Sequence, residues 1–217
     1  MYFDQLIFNS MEKRQRARLI NSLSGFKSAN LIGSCDAEGR ENVAIVSSLI
    51  HLGSNPAMLG FISRPHSVER HSLENILASG FFTANAVTSE LYQQAHQTSA
   101  RYLKHQSEFV QTGLTPVYSD LIRAPYVQES PLKVGLKLVE TVPISVNDTV
   151  MIIGEVQEVW VDSEAVMDDG YIDLEKLSIS TISGLDSYHS TQRLDRLSYA
   201  KPDRPHSKLS VNGKPLE

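Results

Sequence analysis

The chain has 217 residues, 41% of them hydrophobic and 21% charged, with a net charge of −5 at pH 7. That balance suits an ordinary globular protein with one sizeable core, and it lacks the global basic field that a nucleic-acid partner would need. A single cysteine, Cys35, excludes an internal disulfide framework and any cysteine-built zinc site, and it fits a reducing compartment.

The N-terminal stretch MYFDQLIFNSMEKRQRARL has no apolar run of signal-peptide length, and nothing later approaches the roughly 20 apolar residues of a membrane span. A cytoplasmic chain with neither membrane nor nucleic acid as partner is expected. The sequon Asn147-Asp148-Thr149 is then a turn. Residues 10–24 read as a helix, with Ser10 as cap, Leu19, Ile20 and Leu23 on one face and Gly25 as stop. Its cations Lys13, Arg14, Arg16 and Arg18 read as a solvated face, with anion binding as the alternative.

Strand signals follow. Ala29–Cys35, the turn Asp36–Gly39 and Asn42–Ile50 form an expected hairpin, and Met58–Ile62 is a further strand after Pro56. Ser72–Ser79 reads as a helix that starts at Ser72 and stops at Gly80, Phe81–Val87 as a strand, and Ser89–Leu103 as a second helix. After an irregular stretch over 106–131, Lys133–Val146 and Thr149–Val161 are expected to pair antiparallel across Asn147-Asp148. Beyond Ser198 the chain is rich in Pro, Lys and Asp, and it is expected to be extended or packed on a partner. Many strands with few helices point to a closed or nearly closed antiparallel barrel.

Several chemistries have no motif here: no glycine-rich dinucleotide fingerprint, no Walker loop and no Gly-x-Ser-x-Gly elbow. His66 and His71 match no zinc spacing. The informative segment is Phe61–Ser72, where a strand passes into a helix through Ser63, Arg64, Pro65, His66, Arg70, His71 and Ser72. Open helix N–H groups, guanidinium forks and hydroxyls together make a candidate phosphate site. In the alternative, Ser72 only caps the helix, and Arg64 and Arg70 pair with Glu69 or Glu74. Ser47 and Ser48, adjacent in an apolar strand after Val46, send at least one hydroxyl inward to a ligand or to a neighbouring carbonyl.

The ordered series Asn42-Val43-Ala44…Ser47-Ser48, Asn55-Pro56-Ala57-Met58-Leu59-Gly60-Phe61, Arg64-Pro65…Arg70-His71-Ser72 and Phe82-Thr83-Ala84-Asn85 resembles the flavin reductase-like FMN-binding split-barrel proteins. Gly113-Leu114-Thr115-Pro116, Glu129-Ser130-Pro131, Ile153-Gly154-Glu155-Val156, Asp169–Asp173 and Ser183–Tyr188 extend the likeness over roughly residues 20–200.

The resemblance implies a mainly β, six-stranded Greek-key split barrel with a few peripheral helices. Residues 1–200 would be a single domain and 201–217 an extended tail. It further implies a homodimer with FMN near the interface, acting as an NAD(P)H:flavin oxidoreductase that takes hydride at flavin N5. A flavin electron carrier without nicotinamide activity is the alternative. Carried over by position, Val46, Ser47 and Ser48 would lie beside the ring and ribityl chain. Ser63, Arg64, Pro65, Arg70, His71 and Ser72 would surround the phosphate, Asn85 and Ala86 would border the flavin, and Thr98 and Tyr188 would line the pocket. His71 stands where many members carry a carboxylate. His51 reads as a strand-end histidine held by backbone groups, and no residue is assigned as general acid or base.

Overall fold

The computed structural model describes residues 1–216. Two helices replace the single one expected over 10–24. The first, α1 (Gln5–Ser10), is capped by the Asp4 carboxylate, which accepts the Ile7 N–H at 2.9 Å. The second, α2 (Lys13–Ser22), is capped by Glu12, which accepts the N–H groups of Arg14 and Gln15 at 2.8 and 3.0 Å. Ser10 therefore ends one helix and does not cap the next, because Met11 is extended. Neither helix contains a buried residue.

The strands β1 (Lys27–Ser28), β2 (Asn30–Cys35), β3 (Glu41–Val46), β4 (Ile50–Ser54) and β5 (Ala57–Ser63) come next, then α3 (His71–Ser79) and β6 (Phe81–Ala86). Two short helices, α4 (Tyr92–Gln97) and α5 (Glu108–Thr112), precede the two-residue strands β7 (Pro116–Val117) and β8 (Tyr126–Val127). The long pair β9 (Leu132–Ile144) and β10 (Thr149–Val161) follows, antiparallel as expected. The chain ends with β11 (Ser180–Ser183), β12 (Ser187–Ser190), β13 (Arg196–Leu197) and β14 (Lys208–Leu209). The helix expected over 89–103 is cut to six residues.

Seven strands form the main sheet in the order β3-β2-β6-β9-β10-β5-β4. This is one strand more than the six expected, and its two edges, β3 and β4, each pair on one side only. The two edge strands, β3 and β4, are joined by three residues, Ser47 to Leu49. So short a link reaches at most about 14 Å from Val46 to Ile50, so the sheet must curl until its edges meet. It closes into a barrel split along that seam. Ser48 spans the split: its hydroxyl accepts the Ile62 N–H of β5 at 3.1 Å. Of the two partners open to Ser48, ligand or backbone, the structure shows backbone.

Ile32, Phe61, Phe82, Ala84, Leu136 and Ile152 fill the barrel, and Leu73 and Ile76 of α3 join them. Full burial of such side chains contributes about 1.5–3 kcal/mol each. Leu31, Val43, Ala95, Phe109, Val127 and Ile182 make a second core outside β2 and β3. Backbone can approach the sheet closely here because Gly33 has no side chain: a Cβ would sit 2.0 Å from the Pro125 carbonyl oxygen. The tail folds back on its own chain: β13 pairs with β14, and Arg196 binds Asp169 at 2.6 Å. Among the described residues, no helix is long and apolar enough to cross a membrane.

Asn85 ties the layers together. Its amide donates to the Leu31 carbonyl at 3.0 Å and to Thr83 Oγ1 at 2.9 Å, while its oxygen accepts the Val127 N–H at 3.0 Å. Asn85→Ala leaves fully buried backbone groups unpaired and is expected to cost about 1–3 kcal/mol. Urea unfolding of the flavin-free protein reads this directly, and an unchanged midpoint would refute the assignment.

Candidate functional site

The seam is where the ladder of strand pairing stops, so it exposes backbone donors. On the free edge of β3, alternate N–H groups point away from β2. The Val43 N–H is taken by Glu108 at 3.4 Å and the Ile45 N–H by Thr98 Oγ1 at 2.9 Å. Next in that series is Ser47, whose N–H and hydroxyl meet no acceptor among the described residues. The edge is sealed by side chains up to the seam and open at it.

Two residues beyond Ile62, where Ser48 docks, the chain enters the segment Arg64–Ser72. Arg70 precedes the first helical residue of α3, and no side chain caps that end. First-turn N–H groups and the positive end of the helix dipole are therefore open to an anion. Ser72 lies inside the helix and does not cap it; its hydroxyl accepts from Asn42 Nδ2 at 2.9 Å. Ser63 Oγ makes only a long contact to the Arg64 carbonyl, at 3.4 Å. The Pro65 carbonyl accepts Arg70 Nε at 3.1 Å and so holds the guanidinium in place.

The alternative in which Glu69 or Glu74 neutralises the arginines does not occur. Glu69 pairs with His71 at 3.3 Å. Glu74 takes His66 at 3.1 Å, Lys104 at 3.8 Å and the Arg70 backbone N–H at 3.3 Å. Among the described residues, neither Arg64 nor Arg70 has a carboxylate within 4.0 Å, and nor does Arg101. Burial first, and then the neighbouring charges of Arg64 and Arg101, pull the Arg70 guanidinium below its ordinary value. Guanidinium groups that repel one another, with no carboxylate within 4.0 Å of them, are an arrangement able to accept an anion.

Other expected site residues have different employment. Asn85 is fully buried and spent on the layer contacts above, so its side chain is scaffold. Thr98, 3% exposed, donates to the Ala95 carbonyl at 2.7 Å as well as accepting from Ile45, so its hydroxyl is engaged on both sides. The His71 imidazole faces the exposed Glu69 at 3.3 Å, with the buried Glu108 nearby. Burial raises the Glu108 carboxyl above the usual range. Val46 packs against the barrel core and Ala86 is buried at the end of β6. Tyr188 lies in the outer layer, its hydroxyl 3.0 Å from His96 Nδ1, and burial followed by Asp186 pushes its pKa up to about 12. His51 lies exposed on β4. Arg101 was not among the expected site residues, since an arginine on what reads as a helix face carries no signal until the fold brings its loop beside α3, and Glu74 was expected only as a partner for Arg64 or Arg70.

A family model, the flavin reductase like domain, matches residues 23–174. A split-barrel protein from Shewanella frigidimarina NCIMB 400 that carries a provisional flavin reductase name is 52% identical. That alignment covers 92% of this chain and 100% of the other, with a TM-score of 0.89. The nitrilotriacetate monooxygenase component B of Bacillus cereus shares the fold at 19% identity and a TM-score of 0.79, over 91% of this chain and 98% of its own. Flavoredoxin of Desulfovibrio vulgaris (Miyazaki F) does so at 23% and 0.67, over 82% and 91%. With a barrel split at an open seam beside an unpaired arginine cluster, the chain belongs to the flavin reductase-like family of flavin-binding oxidoreductases.

Proposed function

We propose that the chain binds FMN along the seam and acts as an NAD(P)H-dependent flavin oxidoreductase. The ring system would lie beside Ser47 and Val46, and the phosphate between Arg64, Arg70 and the open end of α3. The observation that carries this reading is the pair of arginines whose nearby carboxylates are all committed elsewhere. A phosphomonoester supplies the missing charge, and its oxygens accept both guanidinium and helix N–H groups. The unengaged Ser47 N–H suits a carbonyl on the edge of a flat heteroaromatic ring, and the seam adjoins the phosphate end through the Ser48–Ile62 contact.

When bound, FMN would supply the redox chemistry, accepting hydride from NAD(P)H and passing electrons to an acceptor. The chain's own residues bind and orient it. With no dinucleotide fingerprint in the sequence, NAD(P)H would dock transiently on the exposed ring face. A homodimer belongs to the same reading: α1 and α2 bury nothing within their own chain, and Leu6, Leu23 and Phe26 are 78%, 67% and 70% exposed. Short helices need packing to persist, and a second copy would supply it.

Three outcomes are expected. In fluorescence titrations FMN binds far more tightly than riboflavin, and Arg64→Ala or Arg70→Ala weakens FMN by about tenfold or more; equal affinity for the two flavins would remove the phosphate site. In stopped-flow mixing, NADH or NADPH bleaches the flavin absorbance of the loaded protein. If neither does, while a ferredoxin-like donor reduces it rapidly, the chain is an electron carrier. Light scattering gives about twice the 24.1 kDa chain mass, and a monomer mass would refute the dimer.

A further inference from the structure

We propose that Arg101 is a third ligand of the phosphate at α3, carried there by the loop between Thr98 and Lys104. The inference rests on the FMN reading above and adds a residue from a separate element, one that the ordered sequence landmarks did not include.

Placement is the first support. Thr98 fastens the start of the loop, to β3 through the Ile45 N–H at 2.9 Å and to α4 through the Ala95 carbonyl at 2.7 Å. At the other end, Lys104 reaches Glu74 Oε2 at 3.8 Å. The second oxygen of that carboxylate takes the Arg70 N–H and His66, so a single glutamate joins this loop to the segment that carries the arginines. Ser99 to Leu103 are thereby pinned at both ends beside the first turn of α3, with Arg101 at their centre.

Charge is the second support. Arg101 is exposed and has no carboxylate within 4.0 Å among the described residues. The nearby acids are committed: Glu69 to His71, Glu74 to His66 and Lys104, and Glu108 to the Val43 N–H. The Arg101 field reaches Arg70, as does that of Arg64. Like charges collected from two separate chain segments repel one another, and the cluster becomes favourable once an anion stands among them. Two arginines balance a doubly ionised phosphate, and a third makes the site net positive around it. That excess favours the phosphomonoester over neutral riboflavin. An exposed arginine on a loop pinned at both ends can swing onto the phosphate without moving the barrel.

The test is titration of FMN and riboflavin into flavin-free wild type, Arg64→Ala, Arg70→Ala, Arg101→Ala, Arg101→Gln and Arg101→Lys, followed by fluorescence quenching. Arg101→Ala is expected to raise the FMN Kd about tenfold or more and leave riboflavin unchanged, with Arg101→Lys recovering part of the loss. If Arg64→Ala and Arg70→Ala weaken FMN while Arg101→Ala binds it like wild type, the third ligand is refuted and the FMN site stands. If wild type does not distinguish FMN from riboflavin, both readings fall. Should Arg101→Ala not fold, Arg101→Gln decides the matter by the same two outcomes.

Discussion

The three-residue crossing from Val46 to Ile50 governs this structure. Because β3 and β4 lie at opposite edges of the sheet order and yet are joined by so short a link, the sheet has no choice but to close. The closure is incomplete, since β3 and β4 share no ladder and a serine hydroxyl does the bridging. A split barrel of this kind keeps one stretch of unpaired edge, and an unpaired edge inside a packed molecule needs partners for its N–H groups. Glu108 and Thr98 supply them at Val43 and Ile45. The supply ends at Ser47, whose N–H has no acceptor among the described residues, and the proposed flavin site takes up the edge from there.

The distribution of carboxylates sets up the neighbouring charge. Acidic residues outnumber basic ones in the whole chain, 25 to 20. A positive site survives in that negative background only because local acids are diverted to histidines, a lysine and backbone donors. Glu74 does most of this work: it holds Arg70 by its backbone and leaves the guanidinium unmatched. Arg70 in turn is steered by the Pro65 carbonyl, a neutral acceptor that orients it without quenching its charge.

Much of the scaffold was legible in the sequence, wherever local chemistry decides. The hairpin turn at Asp36–Gly39 forms because Asp36 accepts the N–H groups of Glu38 and Arg40 and Gly39 takes φ 79°. Gly80 ends α3 at φ 74°, and β9 and β10 pair across Asn147-Asp148. What was not legible depends on partners distant in sequence. Asn42–Ile50 reads as one strand, and only the closing of the barrel breaks it at Val46. Asn85 and Thr98 were expected beside the flavin from the family resemblance, and their side chains are taken up by backbone groups from distant segments. Arg64 and Arg70 stood out by residue type and spacing, while Arg101 is brought beside them only by the loop after α4.

The sheet order also dictates how the molecule is made. Within the main sheet only β2–β3, β4–β5 and β9–β10 are hairpins; the pairings β2–β6, β6–β9 and β5–β10 join strands widely separated along the chain. Loop-closure entropy must be met before such contacts return any stability, so a topology of this kind has a high contact order and folds slowly. The contact of Ser48 with Ile62 bridges only 14 residues, so that part of the seam is built locally, from the link and the β4–β5 hairpin. The other wall, the free edge of β3, is held opposite it only through the pairings β2–β6, β6–β9 and β5–β10, so one site draws on both the most local and the most distant contacts of the barrel.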